Sequence, residues 1–492
     1  MRSSGGRDQS VQAVSRVGWI LATAAILAVG LIQGYSNRNY YLDDAFIVLR
    51  YGQNLAAGKG WCFNPGEQVN GSTSVLNTLA AAAAHRLAPT HPDWVLHSLD
   101  DLCFILSALL ILAWFSRARS FAAGGVAAAA LLADPLLHST YGMETALLIL
   151  LAMLSLWCCQ TRSRFFGPVL ALLPLARPEG LILSGLFLLR QFWKAKRVPW
   201  KESSLLAVAV PAWLLFSWLY FGDPFPQSLA AKTAQGASGL WSSKIMFWPG
   251  LLDQIQTLYP HWYRLLPAAL LLLAGAAVTV RQPDPVGVIF IWAALLGVWY
   301  PLLQVPGYHW YYGPIFLSQD LLFGLGAYLI LNIRLQRFPQ REVWNQVAAW
   351  LLLGVLLIPM AWNLRQGYSL ERPARERAYA EVADWISQNT DPGARLSAVE
   401  LGTLAYYSQR NVVDPLGLVA TPEMAVRLRR LQFQGWLQVY RPELILVHQP
   451  IWPLEQLLLD DPSFIAHYAP LHLFRFSQYR DLLLIGKINS ES

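Results

Sequence analysis

The chain is dominated by apolar runs near the length that crosses a bilayer. A spanning α-helix needs about 20 mostly apolar residues, because backbone polar groups in the hydrocarbon core must be satisfied within the segment. Such runs fall at 15–34, 94–115, 121–138, 143–160, 165–176, 179–192, 203–221, 263–280, 285–303, 313–333 and 344–363. They predict a polytopic α-helical membrane protein with about eleven transmembrane helices. The charge content agrees. Only 14% of residues are charged, where a soluble domain carries about 25%. Tryptophan and tyrosine number 21 and 20, enough to line two membrane–water interfaces. The net charge of +7 does not call for nucleic acid, since the basic residues gather in particular short loops. Cys103, Cys158 and Cys159 lie in apolar runs and Cys62 stands alone in a loop, so no disulfide framework is expected.

Loop charge sets the orientation. Arg117, Arg119, Arg162, Arg164, Arg190 to Lys201, Arg281 and Arg334 to Arg341 share one side with the N-terminus, which is therefore predicted to be cytoplasmic. The segments 35–93, 139–142, 222–262, 304–312 and everything after 364 are then extracytoplasmic. Residues 75–88 are apolar but short and carry His85-Arg86, so they read as an interfacial helix. The short runs 165–176 and 179–192 meet at Arg177-Pro178-Glu179-Gly180, a turn expected within the membrane thickness. After residue 364 charge rises and the pattern alternates: helix 372–389, strand 395–400, helix 402–407, strand 411–413, helix 422–440, strand 443–447, helix 452–459, then strands near 471–476 and 481–487. That alternation predicts a small α/β domain over 365–492, set apart from a membrane domain over 1–364.

Directly after the first span come two adjacent carboxylates, Asp43 and Asp44, and a short amphipathic segment with Phe46, Leu49, Arg50 and Tyr51. Like charges side by side repel, and each raises the other's pKa near a low-dielectric boundary. The plainer reading is a helix start, where Asp is favoured. Other ionisable groups in or beside the spans are Asp100, Asp101, Asp134, His138, Glu144, Arg177, Glu179 and Asp320. On the predicted topology they gather in the outer half of the membrane, with His309 and Tyr311 in the outer loop Gly307-Tyr308-His309-Trp310-Tyr311-Tyr312. Intramembrane charges are costly and mark function. A transporter more often places its polar site at the midplane. An outward-facing cavity meeting a membrane-borne substrate fits this set better.

Asp43-Asp44 with Arg50-Tyr51, followed by Asn64-Pro65-Gly66-Glu67, resembles the GT-C glycosyltransferases, polytopic enzymes that use polyprenyl-phosphate sugars outside the cytoplasmic membrane. Within that superfamily the run is similar to the branch of the mycobacterial terminal β-arabinofuranosyltransferase. Gly142-Met143-Glu144-Thr145, Arg177-Pro178-Glu179-Gly180, Pro224-Phe225-Pro226 leading to Lys232, Val412-Val413-Asp414 and Gly417-Leu418 add to the likeness. Gln227-Ser228-Leu229-Ala230-Ala231 before Lys232 departs from it, where Asn-Thr-Tyr-Tyr-Ala is expected.

The resemblance implies a multi-pass enzyme of the cytoplasmic membrane with its C-terminal domain outside. It would move a sugar from a polyprenyl-phosphate donor to an envelope glycan, lipid or protein by inverting single displacement. Asp43 would be the base, and Asp44 would support it or bind the acceptor. The leaving phosphate gathers charge that fixed cations must meet. Lys232, Arg177, His309 and Arg50 are the candidates, and Glu144, Glu179 and Tyr311 are candidates for substrate contacts. Plainer roles stand beside these: a solvated loop charge for Lys232, pairing with Glu179 for Arg177, an interfacial aromatic belt for His309. No cofactor is named by the motifs; a divalent ion is compatible with the acidic pair, and its ligands are unknown. The competing class is a non-catalytic transporter or assembly partner for lipid-linked glycans.

Overall fold

A computed structural model of the protein describes residues 4–118, 120–258, 265–281, 285–331, 351 and 373–488. Helices stand on the expected apolar runs from Ser4–Asn37 through Gly313–Leu331; the expected span 344–363 lies outside the described residues. Among the described residues, four helices are long and apolar enough to cross a membrane: Arg16–Asn37, Pro92–Arg117, Trp200–Phe221 and His309–Leu331. Shorter apolar helices, Phe121–Ala133, Thr145–Thr161, Phe166–Ala176, Leu266–Val280 and Gly287–Leu302, pack among them. The bundle core holds Phe104, Trp114, Phe115 and Trp292, all buried. Gly324 lets its helix close on Phe115 and Ala127, where a Cβ would overlap both. Small residues serve helix approach in this way where lipid is as apolar as the core.

The expected span 121–138 is broken. It is the helix Phe121–Ala133 followed by the single turn Pro135–His138. Asp134 makes the break: its carboxylate accepts from the N–H groups of Leu136 (2.8 Å) and Leu137 (3.3 Å), and proline follows at the first helical position, where its missing N–H costs nothing. The pair 165–176 and 179–192 is as expected, with Phe166–Ala176 and Gly180–Ala195 joined through Arg177.

Two amphipathic helices, Asp43–Ala56 and Val75–Leu87, pack on each other between the bundle and the C-terminal region. That region carries a five-stranded mixed sheet. Its strands are β1 (Arg395–Ser397), β2 (Asn411–Val413), β3 (Leu444–Gln449), β4 (Tyr468–Phe474) and β5 (Asp481–Lys487), in the order β2-β1-β3-β5-β4. β1 runs parallel to β2 and β3, with Leu396 opposite Val412 and Leu444; β5 is antiparallel to β3 and β4, with Ile445 opposite Ile485. β3 is covered on both faces, which is why Leu444 to Val447 read as an unbroken apolar run. The expected helix 422–440 divides into Pro422–Arg430 and Trp436–Tyr440, because Leu431 and Gly435 both take the left-handed conformation.

Two motifs far apart in sequence meet at the seam between these parts. Asn64 accepts from the N–H of Val412 (2.9 Å) and donates to its carbonyl (2.8 Å), so one side chain satisfies the open edge of β2. Phe46 packs against Tyr406 and Tyr407 with ring centroids 5.4 and 5.3 Å apart. The C-terminal region is thereby seated directly on the helix that begins with the acidic pair.

Candidate active site

Asp43 and Asp44 open a helix, as the plainer reading had it, but their carboxylates do different work. Asp43 is buried, and its oxygens accept from the backbone N–H groups of Gly402 (2.9 Å) and Thr403 (2.8 Å). It therefore caps the N-terminus of the helix Gly402–Ser408 from another part of the chain, a charge-assisted arrangement. Asp44 keeps its side chain 27% exposed and faces Lys232, with Oδ1 3.8 Å from Nζ. Burial raises the Asp44 pKa; Lys232 opposes that and Asp43 adds to it.

Lys232 sits on the helix Gln227–Ala237, which Pro226 starts and whose first N–H bonds the carbonyl of Asn70. Its Nζ lies 3.8 Å from the centroid of the Tyr308 ring and 5.7 Å from that of Trp310. Burial alone would discharge an amine. Tyr308 and Asp44 outweigh it and hold the Lys232 pKa above its ordinary value, so the cation persists. Cation–π contacts of this kind are worth about 2 kcal/mol when desolvated.

These groups line one cavity of about 340 Å³, near the lower end of the range typical of ligand pockets. One wall carries Asp43, Asp44, Lys232, Tyr308, His309 and Trp310. The other comes from the C-terminal region: Arg375, Glu400, Leu401, Leu416, Leu418 and Trp452. Leu416 and Leu418 are presented by a turn folded around buried Asp414, which accepts from the N–H groups of Leu416 (2.8 Å) and Val419 (2.9 Å). Arg375 reaches both Glu376 (2.6 Å) and Glu400 (3.4 Å). Burial raises the Glu400 pKa to about 7, against the pull of Arg375 and with help from Asp43 and Asp44.

His309 shares a 2.7 Å hydrogen bond between its Nδ1 and the Ser139 hydroxyl. That hydroxyl donates to the carbonyl of Leu136, so the proton between the two is assigned to Nδ1. Nε2 of the neutral ring is then an acceptor, and His309 would need a second proton to meet a phosphate.

The remaining expected site residues do not line this cavity. Arg50 lies about two turns beyond Asp43 on the same helix, buried and spent on the carbonyl of Phe63 and on Gln53 and Gln409. Arg177 pairs with Glu144 at 2.6 Å and also with Glu179. Tyr300 donates to Glu179 at 2.7 Å, and the Tyr311 ring lies 5.4 Å from the guanidinium. This is a closed ion cluster behind the aromatic wall, the pairing that the plainer reading of Arg177 anticipated. Sequence reasoning missed Arg375, Glu400 and Trp452. Its candidates all fall before the C-terminal region, whereas that region adds an arginine, a glutamate and an indole to the cavity lining. Among the described residues no three His, Cys, Asp or Glu side chains converge as a metal site. Among the described residues the cation paired with Asp44 is Lys232.

A bundle of long and short apolar helices with a C-terminal α/β region built on a small mixed sheet is the arrangement of the GT-C fold. The chain has that fold and is a multi-pass membrane protein. It is similar to the structure of ArnT from Cupriavidus metallidurans bound to undecaprenyl phosphate, with a TM-score of 0.56 and 14% identity over 94% of this chain and 97% of that one. It is similar also to the oligosaccharyltransferase of Archaeoglobus fulgidus in its apo form, with a TM-score of 0.56 and 12% identity over 96% and 74%. In sequence it is a distant homologue of the terminal β-(1→2)-arabinofuranosyltransferase of Mycobacterium tuberculosis, 28% identical over 287 residues. That match takes in 52% of this chain and 44% of the relative, so less than half of the relative's length is matched. Residues 363–484 match a family described as a domain of unknown function, DUF8728.

Proposed function

We propose that the protein is a GT-C glycosyltransferase that moves a sugar, most simply a pentose, from a polyprenyl phosphate to an envelope acceptor. The cavity faces outward from the cytoplasmic membrane, with the N-terminus inside and residues 365–492 outside. The observation that carries this reading is the Asp44–Lys232 pair, 3.8 Å apart on one wall of the cavity. Transfer from a lipid phosphate needs a base and a fixed cation in reach of one reacting carbon. The fold shared with ArnT, crystallised with undecaprenyl phosphate, and the distant homology to an arabinofuranosyltransferase support the donor class.

Asp44 takes the acceptor hydroxyl's proton as that oxygen attacks the anomeric carbon. The bond from this carbon to the phosphate oxygen breaks, and the polyprenyl phosphate leaves with the electron pair. Lys232 meets the charge it gathers. One displacement from the face opposite the leaving group inverts the anomeric configuration. The roles of the two carboxylates are thus exchanged relative to the reading from sequence. Both Asp43 oxygens are engaged by backbone N–H groups, and Asp43 serves by seating the outer domain.

The test is reconstitution in liposomes with a labelled polyprenyl-phosphate pentose and an oligosaccharide acceptor. Labelled, inverted product is expected, with donor binding weakened in Lys232→Met. Movement of labelled lipid between leaflets with no product would overturn the transferase reading in favour of a transporter.

A further inference from the structure

The outer-domain wall of the cavity carries a flat aromatic surface whose orientation is fixed from behind. The Trp452 ring stacks on His448 with centroids 3.5 Å apart and planes 9° from parallel. His448 is itself immobilised. Its Nδ1 lies 2.6 Å from Glu455 Oε1, and its Nε2 lies 2.8 Å from the Tyr379 hydroxyl and 3.1 Å from that of Tyr479. The second oxygen of Glu455 accepts from the backbone N–H of Trp452 at 2.9 Å. One buried carboxylate therefore sets both the imidazole under the indole and the backbone that carries it. The same wall holds Glu400 and Arg375, whose charged ends lie 3.4 Å apart.

A fixed indole beside a carboxylate and a guanidinium suits one class of ligand. A sugar ring presents a face of C–H groups to an aromatic plane and hydroxyls at its edge. Those hydroxyls donate to a carboxylate and accept from a guanidinium, so both charged groups are satisfied by one polyol. A lipid phosphate would meet the Glu400 carboxylate with like charge. An acyl chain would desolvate the Arg375–Glu400 pair and offer it no hydrogen bond in return.

We propose that Trp452, Glu400 and Arg375 form the acceptor subsite, and that the acceptor is the terminal sugar of a glycan. This deepens the transferase reading and rests on it for the word acceptor. The sugar lies against the outer-domain wall, and its attacking hydroxyl points across the cavity to Asp44. His448 is a positioning residue that acts through Trp452.

The test separates binding from transfer. Saturation-transfer NMR on the full-length protein in detergent would use an arabinofuranose disaccharide as probe, with glycerol phosphate and a tetrapeptide as probes of the lipid and protein alternatives. Saturation of the sugar ring protons is expected in the unmodified protein. Binding should weaken about tenfold in Trp452→Ala and in Glu400→Gln. Trp452→Phe keeps an aromatic face and should stay within about threefold, which distinguishes a lost platform from a lost fold. Sugar binding unchanged in both Trp452→Ala and Glu400→Gln would overturn the proposal, as would preferential binding of glycerol phosphate or the peptide. Sugar binding as described in a protein that transfers no sugar from any polyprenyl phosphate would uphold the subsite and remove the transferase reading instead.

Discussion

The backbone N–H of Gly402 donates to Asp43 Oδ2 at 2.9 Å across 359 residues of chain. This bond and its neighbour from Thr403 tie the C-terminal region to the helix that carries Asp44. The approach is close enough that a Cβ at Gly402 would overlap the backbone carbonyl oxygen of Asp43. A rigid carbonyl cannot give way as a side-chain tip does, so the two elements must separate.

Gly402→Ala should therefore abolish most transfer although it removes no charged or polar side chain. Arg375, Glu400 and Trp452 would withdraw with the domain. Limited proteolysis should show faster cleavage at the seam, while donor binding, carried by the Lys232 wall, stays. Full transfer with unchanged proteolysis would mean that the seam does not assemble the cavity.

Asp44→Asn removes the proposed base and keeps its shape. Turnover should fall by a factor of about a hundred to ten thousand. Binding of a polyprenyl-phosphate analogue should be nearly unchanged, since the Tyr308 cage still holds Lys232. Asp43→Asn should act differently. An amide N–H₂ would face a backbone N–H, and the expected signature is the loosened seam of Gly402→Ala. Measured side by side, transfer and proteolysis separate the two carboxylates. A larger turnover loss at Asp43 with an intact seam would restore the role first read from sequence.

What the sequence disclosed followed from local pattern. The apolar runs are visible one by one, because each helix satisfies its own backbone in lipid. The helix starting at Asp43 was visible in the acidic pair and in the spacing of Phe46 and Leu49. The break at Asp134-Pro135 was readable as a cap followed by proline, but the apolar run on either side concealed it. Arg50 shares the helical face of Asp43 and Ile47, but it lies about two turns further along, where Phe63, Gln53 and Gln409 engage it, partners that periodicity does not disclose. Arg375, Glu400 and Trp452 were out of reach for another reason. Their placement depends on Asn64 meeting Val412 and Asp43 meeting Gly402, pairings with no local signature. The motifs containing Asn64 and Val412 are each visible in the sequence; only the fold shows that they bind each other.

Arg177 offers a test of stability against function. It bridges Glu144 and Glu179 where all three are largely removed from solvent. Removing one partner of a buried cluster leaves charge uncompensated, at a cost of about 3–5 kcal/mol. Arg177→Ala should lower the melting temperature in detergent markedly, and the folded fraction should still bind donor. Loss of donor binding at unchanged stability would return Arg177 to the phosphate.

Glu400 gives the pH dependence. Burial raises its pKa from 4.5 to about 7, with Arg375 opposing and Asp43, Asp44 and Glu376 reinforcing. The unfolded chain releases this proton near the ordinary value, while the folded protein keeps it until about pH 7. The unfolded state therefore binds fewer protons across that window, and this group's contribution to stability is lost as pH rises through it. Acceptor binding runs the other way, because only the carboxylate accepts fully from sugar hydroxyls. One group titrating near neutrality changes its ionised fraction roughly tenfold over two pH units centred there. The acceptor KM should therefore fall by about that factor from pH 6 to pH 8. Glu400→Gln should hold the acceptor KM at its weak, low-pH value throughout and flatten the stability profile below neutrality. The measurements are transfer kinetics with acceptor varied at saturating donor, and melting temperature against pH for both proteins. An acceptor KM that keeps its full pH dependence in Glu400→Gln would assign the titration to another group, with Asp44 the first to examine.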